Sequence, residues 1–204
     1  MRTAGIRAAL TLVAALVATS AFAQQPATVR VRGTIENVTG QILDVKTRDG
    51  AMVKVKVADN AVVRTVLKQS LADVKAGEFV GITAMPQPDG TQKAVEIHIF
   101  PEALRGTGEG HRPWDLVPNS TMTNANIDSE VAIADGQKLV LKYKDGEKTF
   151  IVPANVVVVL FAPATVGDLK AGAKIFIVGA KPLADGTLEA AGITVGSNGV
   201  DPPM

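Results

Sequence analysis

The chain has 204 residues, with 21 Lys and Arg against 20 Asp and Glu and no cysteine. A near-neutral balance argues against a nucleic-acid partner, whose phosphates demand a basic surface, and the absence of Cys excludes disulfides, thiolate metal sites and cysteine nucleophiles. The length fits one ordinary domain or two small ones, each able to bury a core.

Residues 1–23 read as a cleavable secretory signal peptide: Arg2 and Arg7 lead, an apolar stretch runs from Ala8 to Ala18, and Ala21-Phe22-Ala23 supplies the small-residue end. That stretch of 11 residues falls short of the roughly 20 that span a bilayer as a helix. The expected product begins near Gln24 and is periplasmic or extracellular. No later segment is apolar for long enough to span, so no membrane span is expected.

Beyond the leader the sequence repeats itself, residues 31–100 aligning with 124–195 at an offset of 95 or 96. Thr47-Arg48-Asp49-Gly50 matches Tyr143-Lys144-Asp145-Gly146, and Leu71-Ala72-Asp73-Val74-Lys75-Ala76-Gly77 matches Val166-Gly167-Asp168-Leu169-Lys170-Ala171-Gly172. Asp89-Gly90-Thr91 matches Asp185-Gly186-Thr187, and Ala94 to Ile99 matches Ala190 to Val195. Each copy alternates apolar and polar residues over short runs, as in Val53, Val55 and Val57 or Val95, Ile97 and Ile99, the pattern of strands with one buried face. Asp-Gly pairs at 49–50, 89–90, 135–136, 145–146 and 185–186 fall between such runs and predict tight turns. Ser70 and Thr165 precede short stretches expected to be a helical turn each, with Asp73 and Asp168 as capping partners. Val156 to Phe161 is apolar on both faces, so both must be covered.

Five to six short strands and one helical turn per copy predict an all-β chain of two tandem small β-barrels, similar to the oligonucleotide/oligosaccharide-binding (OB) fold, joined by an irregular linker. A flat sandwich made by pairing the two copies is the alternative. The expected division is signal peptide 1–23, first barrel 28–100, linker 101–121, second barrel 122–196 and tail 197–204.

The strand hairpin, Ser-Leu-Ala-Asp-Val-Lys-Ala-Gly, Asp-Gly-Thr and closing Ala-Val-Glu-Ile strand resemble a family of bacterial exported small β-barrel domains of unknown function. Met85 to Gly90, Glu96 to Glu102 and Gly108 to Leu116 resemble its two-copy proteobacterial subfamily. The resemblance spans nearly all of the chain after the leader and implies an exported barrel protein, without catalytic residues to carry across. Some similar sequences bear a metal-transport permease label, which for a chain with no spanning helix implies at most a soluble accessory.

Pro101 to Thr121 lacks strand alternation and holds the only Trp and one of two His. Connections of this length are generally functional or disordered. Trp114 and Leu116 are read either as a clasp between the barrels or as part of a site. The candidate ligand or partner surface comprises Glu96, His98, Phe100, Arg105, His111, Arg112, Trp114 and Asp115. The candidate divalent-metal set is His98, Glu109 and His111, types that coordinate such ions but lack a paired-ligand spacing. Gly192 and Thr194 replace Glu96 and His98 in the second copy, so that face acts once. Gly106 to His111 is not a nucleotide loop, because His111 occupies the sixth position where Gly is needed and no helix follows. No Gly-x-Ser-x-Gly elbow is present either.

The expectation is therefore a non-catalytic binding or scaffolding protein whose partner is an envelope protein or a small ligand. A metal-transport accessory is the first alternative and an enzyme of unrecognised type the second. No cofactor is expected other than a divalent metal under the first alternative.

Overall fold

A computed structural model describes residues 27–203. The signal-peptide expectation lies outside the described residues. Twelve strands follow in chain order: β1 (Val29–Thr39), β2 (Ile42–Thr47), β3 (Met52–Gln69), β4 (Phe79–Pro86), β5 (Gln92–Ile99), β6 (Gly110–Pro113), β7 (Thr121–Ile133), β8 (Gly136–Tyr143), β9 (Gly146–Pro153), β10 (Val157–Pro163), β11 (Lys174–Pro182) and β12 (Leu188–Val195). The fold is all-β, as expected, and no helix among the described residues is long and apolar enough to cross a membrane.

Local chemistry follows the sequence closely. All five Asp-Gly pairs form turns with the glycine at positive φ, a conformation other side chains resist. The two expected helical turns are 3₁₀ turns, Leu71–Asp73 and Val166–Asp168. Asp73 accepts from the Ser70 amide at 2.9 Å, and Asp168 accepts from the Thr165 amide at 2.8 Å. Both aspartates are caps.

Strand pairing then departs from the expected tandem plan. β1, β2, β3, β12 and β11 close into a five-stranded barrel, through β1–β2, β2–β3, parallel β3–β12, β12–β11 and β11–β1. Three of its strands come from the first copy and two from the second. The complementary strands pair in the order β5–β4–β7–β8–β9, and β9 returns to β5 through Gln92–Phe150 and Lys93–Ile151. β10 lies between β3 and β5 and joins the two groups into one 12-stranded sheet. One barrel per copy, at 28–100 and 122–196, is thus not the observed pairing: those boundaries cut both groups.

Matching contacts on the two sides show how regular the exchange is. Ile35 donates to the Ala173 carbonyl at 2.9 Å and accepts from the Gly172 amide at 2.7 Å; Ile127 donates to the Glu78 carbonyl at 2.9 Å and accepts from the Gly77 amide at 2.8 Å. Each copy's first strand is bonded to the other copy's loop. This equivalence sets Ile35 against Ile127, an offset of 92 in the bulged first strands instead of 95 or 96. The cores are exchanged likewise. Val31, Ile35, Leu43, Val45, Val55 and Val57 pack with Leu169, Ile175, Ile177, Ala190, Ile193 and Val195, while Val80, Ile82, Ala94 and Ile97 pack with Ile127, Leu139, Leu141, Phe150 and Val152. β10 has both edges paired and Val158, Val159 and Phe161 buried, which explains its apolar character on both faces.

Candidate functional site

Where the two groups of strands meet, a third cluster gathers Val66, Trp114, Met122, Val159, Phe161 and Phe176, with Phe100 and Leu116 against it. This seam holds a cavity of about 180 Å³. Its wall is built from β3 (Arg64), β5 (His98), β7 (Met122, Asn124), β10 (Phe161), β11 (Phe176, Val178) and β12 (Thr194), closed by Phe100, Leu104, Thr107, Gly108, Arg112 and Trp114 of the linker region.

Copy asymmetry shapes this space. Gly81 pairs with His98 across β4 and β5, and at the corresponding place Phe176 pairs with Thr194 across β11 and β12. The large ring sits on opposite strands of the two hairpins. Gly81 has no alternative: a Cβ there would stand 2.0 Å from His98 Nε2 and 2.7 Å from Asn124 Oδ1. His98 and Thr194, aligned in the repeat, both line the one cavity.

Behind the wall His98 is held by a buried polar set. Its Nδ1 lies 3.1 Å from Glu96 Oε1, and Thr83 Oγ1 donates to Glu96 Oε2 at 3.1 Å. Glu96 is 1% and His98 3% exposed. The carboxylate is reached from two sides and fixes the imidazole, whose ring packs edge-on against Phe100 at 4.9 Å and Phe161 at 5.2 Å.

The linker supplies the lid. Trp114 is only 9% exposed and meets Phe176 edge-on at 6.2 Å. Arg30 lies 4.0 Å over its ring and Arg112 5.4 Å, while Arg32 lies 3.8 Å over Phe176, all favourable cation–π geometries. Asp115 binds Arg32 at 2.7 Å and Arg30 at 3.5 Å, and Arg48 donates to the Leu116 carbonyl at 3.3 Å. Burial lowers the Arg32 guanidinium to about 10, Asp115 opposing the shift and Arg48 and Arg30 adding to it. β6 meanwhile pairs with β7. The linker is therefore a clasp across both groups of strands, and its Trp is also a wall of the cavity.

Of the residues singled out by sequence, His98, Phe100, Arg112 and Trp114 line the cavity and Glu96 stands behind His98. Arg105 instead ties Glu102 to Asn126 and to the Gly77 carbonyl, and Asp115 is spent on Arg30 and Arg32. The metal set does not assemble. His98 Nδ1 is bonded to Glu96, Glu109 accepts from the Lys144 amide at 2.9 Å, and His111 Nδ1 lies 2.7 Å from Thr123 Oγ1. Among the described residues no three His, Cys, Asp or Glu are placed to hold a metal ion. The sequence reading missed Arg64, Asn124, Phe161 and Phe176, which come from strands of both copies.

His111 offers a direct check on this placement. Burial, with Lys148 and Arg112 nearby, depresses its pKa below the ordinary 6.5. A depressed folded value means the neutral ring is favoured in the folded state, so its contribution to stability is present above 6.5 and is lost as pH falls through the folded value. An NMR titration should put the His111 midpoint below 6.5; a midpoint at or above it would mean that β6 is not docked on β7.

Comparison of the chain with protein-family models, with curated proteins and with solved structures finds no match.

Proposed function

We propose that this chain is an exported, soluble, non-catalytic binding protein that takes a small ligand in the cavity at the seam between its two groups of strands. Residues 1–23 act as the export signal, and the product works in the periplasm or outside the cell. Both strand groups are OB-like barrels, completed by exchange of strands between copies, and the resemblance to exported barrel domains accords with that reading.

One observation carries the proposal. Two residues that line the cavity, Trp114 and Asn124, each hold a buried polar atom, Nε1 and Oδ1, without a hydrogen-bond partner, although buried polar groups are nearly always satisfied. A bound molecule supplies what they lack. Binding is favoured over catalysis because His98, the one wall residue of acid–base type, has its Nε2 packed against Gly81 and not against a nucleophile.

A thermal-shift panel of compounds of about one ring, covering anions, cations and neutral molecules, tests this reading. Saturation at about 100 times Kd adds roughly 2.7 kcal/mol, or about 5–10 °C for a chain of this size. Val178 lines the cavity and is 58% exposed, so Val178→Trp is expected to obstruct the mouth and abolish the shift with little change to the unliganded melt. A panel with no stabilising compound, or shifts unaffected by Val178→Trp, would remove the cavity as the site.

A further inference from the structure

Resting on the reading of the cavity as a ligand site, we propose that its ligand is a small aromatic carboxylic acid carrying a hydrogen-bond donor, such as a hydroxyl, away from the carboxylate. Size sets the first limit. About 180 Å³ is slightly more than the roughly 150 Å³ of an apolar cavity that admits benzene, so one ring with short substituents fills it. Lining sets the second: four aromatic residues, Phe100, Trp114, Phe161 and Phe176, border the space, a setting that suits a flat apolar body.

Charge decides the class. Two arginines, Arg64 and Arg112, line the same space, and no Asp or Glu is among the lining residues. The Arg64 side chain makes no hydrogen bond or ion pair among the described residues, and Arg112 donates only to the Gly108 carbonyl, at 2.7 Å, while lying over Trp114. Arg30 and Arg32, by contrast, share the Asp115 carboxylate, at 3.5 Å and 2.7 Å. Burial and the nearby Arg30 lower the pKa of Arg112, so an anion here relieves both desolvation and repulsion. A planar carboxylate suits a guanidinium fork, and it also accepts from an indole N–H.

The unpartnered atoms are of opposite kinds and set the rest. Trp114 Nε1 can only donate and so needs an acceptor, which the carboxylate provides. Asn124 is 5% exposed; its Nδ2 donates to the Thr107 carbonyl at 3.0 Å, which fixes the amide and leaves Oδ1 needing a donor. An acid with a second polar group satisfies both; a plain hydrocarbon satisfies neither. Discrimination by a site built for a hydrogen bond is large because its absence strands a buried group.

Calorimetric titration of the full chain with 4-hydroxybenzoate, benzoate, benzyl alcohol, benzylamine and inorganic phosphate separates the alternatives, with emission from the only Trp reporting occupancy of the cavity. The expected order is 4-hydroxybenzoate tightest, then benzoate, with benzyl alcohol, benzylamine and phosphate each at least about 10-fold weaker than the tightest. Arg64→Gln and Arg112→Gln should each weaken 4-hydroxybenzoate about 10- to 100-fold while leaving benzyl alcohol unchanged, and Asn124→Leu should remove the preference for the hydroxylated acid. Circular dichroism and melting of each variant establish that it is folded. Benzyl alcohol or benzylamine binding as tightly as the acids would overturn the anionic class while leaving the cavity as a ligand site. Phosphate binding as tightly would overturn the aromatic body, and silence from every probe in both this titration and the wider panel would overturn the site itself.

Discussion

Cutting the chain between β5 and β6, at a protease site inserted after Gly106, should leave two fragments that travel together through size exclusion as a species of unchanged mass. Gly106 is exposed, and nothing lies within 4 Å of where its Cβ would be, so an insertion there disturbs little. The first fragment carries β1–β5 and the second β6–β12. Neither contains all five strands of either group, because β11 and β12 complete the group of β1–β3, and β4 and β5 complete that of β7–β9. Separation would break β1–β11, β3–β12, β3–β10, β5–β10 and β4–β7 at once and open both shared cores. An interface of that kind is a domain core cut in half, which obligate partners keep buried. Each fragment expressed alone should be unfolded or aggregated, with mixed fragments regaining β-sheet circular dichroism. Two cut fragments that elute separately, each with a folded spectrum, would instead mean one barrel per copy.

Replacing Glu96 by Ala should destabilise the chain by about 3–5 kcal/mol, because it strands two buried polar groups at roughly 1–3 kcal/mol each and empties buried volume. For a chain of this size that is a fall in Tm of roughly 6–20 °C. The loss has two parts: Thr83 Oγ1 and His98 Nδ1 lose their shared partner, and the His98 ring loses the contact that orients it into the seam. Glu96→Gln should cost far less. Its amide can still accept from one neighbour and donate to the other, since the hydroxyl and the imidazole nitrogen can each play either role. An Ala variant as stable as the Gln variant would show that the bonds at 3.1 Å contribute little and that packing alone holds the ring.

Much of the local structure is legible in the sequence. Asp-Gly pairs forced turns, Ser70 with Asp73 and Thr165 with Asp168 announced caps, and alternating valines identified the buried face of β3. The exchange was not legible, for a definite reason. Hydrophobic alternation specifies which face of a strand is buried but not which strand lies beside it, and Leu71 to Gly77 so resembles Val166 to Gly172 that either can follow β3 in space. Trp114 stood out as a lone aromatic in a polar connection, and His98 as a histidine in an apolar strand. Arg64 did not, since an arginine in an alternating strand reads as solvent-facing until the neighbouring β12 places it beside Thr194. Asn124 and Phe176 reach the cavity beside Gly81 and Trp114, neighbours that no local pattern connects to them.

The mismatch between the hairpin carrying Gly81 and His98 and the one carrying Phe176 and Thr194 bears on how such a chain can arise. Were each half a separate molecule and the whole a two-fold pair, every substitution at the seam would appear twice, and a ring introduced on one side would collide with its own image or leave two matching holes. A lopsided chamber cannot be written in a palindrome. Joining the halves through a clasp removes that constraint, so one side could give up bulk as the other gained it, and the seam could become a vessel with a front and a back.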